Sequence, residues 1–194
     1  MKALLRFTFT ILFFVTIGTL SSYGQNKFER EYRIKEKDVP AKAVDFISLL
    51  KFDSNIKWYA EESSQGKSIE AKTKFKSVKY SIEFDTNGNL QDVEIEISTE
   101  DISKDTYSKI QNTFSSDFSK FKIIKIQKQL SGSEKKVLDH LLKETNNVIT
   151  IKYEIVVKGK SNKGKNLYEY TFTNSGALEK REKIIFKNSD HLEY

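Results

Sequence analysis

Two sets of ionisable residues in this 194-residue chain fall at spacings that could support chemistry. Glu94 and Glu96 alternate with apolar residues and share one face of a strand, and Glu83 has the parity to join them. Carboxylates paired in this way can act as general acid and base. Lys72, Lys74, Lys76 and Lys79 crowd the adjoining run, where they could hold an anion or a charged partner. The other catalytic apparatus is missing. Nucleophilic catalysis needs a base beside a serine or cysteine, and the chain has no cysteine, no G-x-S-x-G and only His140 and His191. Two histidines in different settings do not make a zinc site of three or four ligands. Asp85-Thr86-Asn87-Gly88-Asn89 has the residue types of a calcium loop, but its glycine stands fourth instead of sixth, and Glu96 at position twelve lies in a strand. A hairpin turn explains it better. The expectation is a non-enzyme with no metal and no cofactor, whose carboxylates and lysines form cross-strand ion pairs on a solvated face.

The elements that position these residues are legible from periodicity. Ala43, Val44, Ile47 and Leu50 recur at helical spacing behind Pro40, which predicts a helix over 40–51. Strands are predicted at 56–60, 69–75, 78–84 and 93–97, with Asn87-Gly88 as a two-residue hairpin turn. The same order then returns. Residues 80–97 (YSIEFDTNGNLQDVEIEI) and 168–185 (YEYTFTNSGALEKREKII) share five identities in 18 at an offset of 88, among them Tyr80/Tyr168, Phe84/Phe172 and Gly88/Gly176. Self-similarity at a fixed offset marks a supersecondary unit used twice. A second helix near Ile102–Ile110 and strands near 121–130, 148–157, 166–173 and 178–186 follow. Residues 131–147 read as an extra amphipathic helix with a capping box at Ser131–Glu134, and Lys158–Lys165 as a solvated loop. Only Asn87-Gly88 reads as a tight turn, so valine should cost more at Gly88 than at Gly176.

Residues 1–24 have the order of a secretory signal peptide: Lys2 and Arg6, an apolar run over Phe7–Leu20, then small residues at Ser22 and Gly24. As a helix that run spans about 21 Å, against a hydrocarbon core of about 30 Å, so no stable membrane anchor is expected. The location implied is periplasmic or secreted. Without cysteine the exported fold has no disulfides and rests on its core. Beyond residue 24 the arginines are Arg30, Arg33 and Arg181, and most strand aromatics have core parity, which excludes a nucleic-acid surface.

The expected architecture is α+β. A polar lead (25–37) precedes two tandem units, 38–98 and 99–187, each a helix on a four-stranded antiparallel meander. The second carries the helical insert 131–147, and a tail (188–194) follows. The helix behind Val39-Pro40, the strand with Trp58 and above all YSIEFDTNGNL resemble the secreted PepSY-like family, grouped with the fold of the β-lactamase inhibitor protein. The resemblance covers roughly 38–186 and implies a protein-binding or inhibitor-like role towards a secreted or envelope hydrolase or peptidase. On that reading the partner meets the helix-free sheet face, where Tyr59 is the main aromatic. The alternative is an envelope sensor or adaptor that takes an anionic ligand or surface through Lys72, Lys74, Lys76 and Lys79.

Overall fold

The computed structural model describes residues 25–27, 29–63, 66–143, 148–162 and 164–185. The signal-peptide reading (1–24), His191 and the C-terminal tail lie outside them. The strands are β1 (Gln25–Lys27), β2 (Glu29–Ile34), β3 (Lys57–Ser63), β4 (Gly66–Phe75), β5 (Val78–Asp85), β6 (Leu90–Glu96), β7 (Lys120–Ser131), β8 (Thr150–Ser161), β9 (Gly164–Thr173) and β10 (Leu178–Ile184). The helices are α1 (Ala41–Leu49), α2 (Lys104–Asp117) and α3 (Glu134–Leu142). Among the described residues, no helix is long and apolar enough to cross a membrane.

The expected division into two helix-plus-four-strand units is incorrect. Asp92–Glu96 of β6 pair with Gln127–Ser131 of β7, so β2 to β10 run as one antiparallel meander. The insert confirms the continuity. Val137 of α3 packs into the cluster of α1, Trp58, Ile82 and Phe84, although α3 follows β7 in sequence. A helix inserted in the second copy thus completes the first copy's core. Two apolar clusters remain on the outer side of the sheet, one under α1 and α3, the other under α2 around Phe114, Tyr170 and Phe172.

The polar lead supplies two strands: Gln25–Lys27 and Glu29–Ile34 close the sheet. β1 pairs in parallel with β10, Lys27 opposite Ile184, while β2 pairs with β3, Glu29 opposite Ser63. These strands stand at opposite ends of the strand order yet are one residue apart in the chain. Two residues span about 7 Å and each ladder adds about 4.8 Å, so these ends of β10 and β3 lie within about 17 Å. A flat sheet would separate them by seven strand spacings, about 34 Å. The sheet therefore rolls up until both edges meet on residues 25–34. Parity explains the one parallel pair: β1–β2 as one stave plus β3–β10 make nine, and a closed meander with an odd number of staves must have one parallel junction.

The repeated hairpins also differ from expectation. Gly88 N–H donates to Asp85 O at 2.9 Å and Asp85 N–H to Asn89 O at 2.9 Å. Gly176 to Thr173 and Thr173 to Ala177 repeat both bonds at 2.9 Å. Asn87 does not have the positive φ of a two-residue turn; Gly88 and Gly176 do, at 82° and 83°. Among the described residues, the two-residue hairpin turn with positive φ at both positions is Lys76-Ser77, at 48° and 67°. Its residues are neither glycine nor asparagine, so no sequence signal marked it. Each repeated glycine docks its turn on a helix start. A Cβ on Gly88 would lie 2.9 Å from Pro40 Cβ, and one on Gly176 2.8 Å from Thr106 O.

Equal geometry predicts equal cost. Gly88→Val and Gly176→Val should each destabilise by about 2–5 kcal/mol through left-handed backbone strain and overpacking. Denaturant melts of the two variants check this. A cost at Gly88 more than twice that at Gly176 would restore the unequal expectation.

Candidate functional site

Strand alternation divides the rolled sheet into an apolar outside and a polar inside. Ile82, Phe84, Val93, Leu130 and Ile155 are buried outward under the helices. The intervening Glu83, Asp92, Glu94, Gln129 and Glu154 therefore point inward. They line one concavity of about 850 Å³ to which every strand from β2 to β10 contributes. Ten carboxyl side chains line it against five lysines. The whole chain has a net charge of +6, so the inside is acidic within a basic protein.

The sheet register concentrates the acids. Glu70, Glu83 and Asp92 stand directly opposite one another across β4, β5 and β6. Like charges so placed are destabilising. Amides from β7 mediate between the others. Gln127 Nε2 donates to Glu94 Oε2 at 2.5 Å, and Gln129 Nε2 donates to Glu154 Oε1 at 3.0 Å and Asp92 Oδ2 at 3.3 Å. Burial pushes the Glu94 carboxyl well above the usual carboxylate range. The charges of Glu154 and Asp92 add to the shift, while Lys125 opposes it. A carboxyl hydrogen bond to Glu154 also favours the protonated form.

The lysines proposed from sequence do not form one basic patch. Lys72 lies inside, with Nζ 2.8 Å from Glu31 Oε2, 3.0 Å from Glu70 Oε2 and 5.1 Å from the centre of the Tyr59 ring. Burial works against its charge, but Glu70 and Glu31 outweigh it and raise its pKa. Glu70 also accepts from Ser81 Oγ. Lys79 pairs with Glu96 at 3.1 Å. Lys76 caps the β4–β5 turn, 5.2 Å from the Phe75 ring, and Lys74 is exposed beside it. Tyr59 is half-buried on the inner side, next to Trp58, which is buried outward with its indole N–H 3.4 Å from Glu36 Oε2.

The calcium-like turn serves itself. Asp85 Oδ1 accepts from the amides of Asn87 and Asn89, and Oδ2 accepts from Asn89 Nδ2 at 2.7 Å. Among the described residues, no group of three or more His, Cys, Asp or Glu could hold a metal ion. Asp139 of α3 is buried against Lys135 at 2.9 Å, and His140 is half-buried. Sequence reasoning missed Gln127, Gln129 and Glu154. Their signal was the inward parity of β7 and β8, in the unit after β6. Comparison with family models, curated proteins and solved structures finds no match.

The raised pKa of Glu94 has a testable sign. The folded carboxyl holds its proton more tightly than the unfolded one, which titrates near 4.5. Its contribution to stability is therefore present below that value and falls as pH rises towards the folded pKa. Glu94→Gln keeps an acceptor for Gln127 and removes the charge. Its melting temperature should exceed that of the parent at pH 8 and approach it at pH 4.5. A variant less stable at pH 8 than the parent would refute the shift.

Proposed function

We propose that this chain is an exported, non-enzymatic binding protein whose rolled sheet takes a cationic partner group, amine or guanidinium, into its interior. The observation that carries the reading is the acidic concavity, with ten carboxyls against five lysines and all nine staves contributing. Such a volume suits a small ligand or a few side chains of another chain. Its lining of carboxylates and amides offers acceptors and no apolar anchor. Protein clamps draw their energy from buried aromatics and arginine, and Tyr59 is already engaged by Lys72. An inhibitor-like role, as the PepSY-like resemblance implies, would on this geometry need a partner that inserts a basic segment. The pairing of Lys72 and Lys79 with acids weighs against an anionic ligand at the four lysines first considered.

Titration calorimetry with spermine and with a hexa-arginine peptide tests the reading. Both should bind, more weakly at 500 mM than at 50 mM salt, because exposed charge pairs are screened. Glu83→Gln combined with Glu154→Gln should weaken binding by at least about tenfold, since even one charged hydrogen bond contributes about 1.5–3 kcal/mol. Equal affinity in that variant, or tighter binding of polyglutamate than of either cation, would contradict it.

A further inference from the structure

At one end of the molecule three strands run past their neighbours. The β6–β7 ladder begins at Gln127, so residues 120–124 of β7 have no β6 partner. The β9–β10 ladder ends at Tyr168, so residues 164–167 have no β10 partner. β8 holds both, pairing Lys120 with Lys160 and Lys160 with Lys165. In the segment expected as a solvated loop, residues 158–161 and 164–165 are thus strand at the end of a three-stranded tongue. Its outer side is packed: Phe121, Ile123, Val157 and Tyr168 join the α2 core, and the Phe118 ring fills the space a Cβ would take on Gly159.

Alternation turns Lys120, Lys122, Lys158, Lys160 and Lys165 to the other side. Lys120, Lys160 and Lys165 stand in one cross-strand row, and Lys122 faces Lys158 in the next. All five are exposed. The residue pairs within each row are in the register where like charges repel. Among the described residues no carboxylate forms an ion pair with any of them, although carboxylates engage Lys72, Lys79, Lys152 and Lys180 elsewhere on the sheet. The β7 bulge beside Lys122 leaves Ile124 half exposed.

We infer that this tongue docks the protein on an anionic lipid bilayer. Five ammonium groups on a rigid three-stranded platform match a surface of distributed negative charge. Lysine is a point charge without the fork that selects one oxyanion geometry. Its alkyl stem and Ile124 can enter the headgroup boundary. Single-stranded nucleic acid would want stacking aromatics on that side, and the tongue's aromatics face the α2 core. The five lysines share the inner face of β7, β8 and β9 with Gln127 and Glu154 but stand beyond the ends of β6 and β10, outside the lining of the concavity, so the docking does not require that interior to bind cations.

Vesicle co-sedimentation tests the inference, using the chain from Gln25 onward, which carries every described strand and helix. It should bind vesicles containing 30% phosphatidylglycerol at 50 mM salt and leave pure phosphatidylcholine vesicles unbound. Each lysine near such a surface strengthens partitioning by about fivefold. Lys120→Ser, Lys158→Ser and Lys160→Ser together should therefore weaken it about a hundredfold, with unchanged circular dichroism. The control triple of Lys57→Ser, Lys104→Ser and Lys136→Ser should weaken it by less than tenfold. Equal losses in the two triples would overturn the tongue as the site. Binding to heparin or single-stranded DNA without binding to the anionic vesicles would overturn the bilayer as its occupant.

Discussion

Everything in this molecule depends on how residues 25–34 pair. One short stretch of chain lies beside β10 at one end and beside β3 at the other. Nine staves and a single parallel junction follow from that, and the sheet cannot be flat. Once it is rolled, its two faces have different fates. The outer one meets α1, α2 and α3 and becomes the hydrophobic core in two clusters. The inner one meets no helix and must remain polar.

That inversion accounts for the chemistry inside. A small barrel usually fills its interior with side chains or encloses a ligand. Here the interior collects carboxyls from strands far apart in sequence: Glu31 from β2, Glu94 from β6 and Glu182 from β10. Their mutual repulsion opposes folding, and the outer cores must offset it. Gln127 and Gln129 spread donors among the acids without adding charge. Lys72 takes the opposite part, shared between Glu31 and Glu70. Burial and the charges of Glu154 and Asp92 favour a protonated Glu94, so the interior's charge and the stability of the ring are linked.

Local structure was readable in the sequence, and its assembly was not. Alternation located β4, β5, β6 and β9 closely, because each buries one face. Helical spacing located α1 and α3. The duplication was a real pattern with a physical cause: Gly88 and Gly176 seat identical turns on the starts of α1 and α2. What it concealed was continuity. Nothing in the composition of β6 or β7 shows that they pair, since any two strand edges offer the same amides. The lead Glu29–Ile34 read only as polar, because Glu29, Arg30, Glu31 and Arg33 mask its strand character. The lysines of the tongue looked like a loop for the same reason. Tyr59 and Lys72 were singled out and do meet. The acidic partners of Lys72 are Glu70 on the same strand and Glu31 in the lead, where no strand was expected.

Closure of the sheet can be measured directly, because the chain contains no cysteine and accepts two labels cleanly. Spin labels placed through Glu62→Cys on β3 and Lys183→Cys on β10 report the separation of strands that lie seven ladders apart in the sheet. A rolled sheet predicts a distance below about 30 Å: two strand spacings across, about 13 Å along the stave between the positions opposite Asn26 and Arg30, and the label arms. A distribution centred above about 35 Å would mean an open sheet, and with it no enclosed acidic interior.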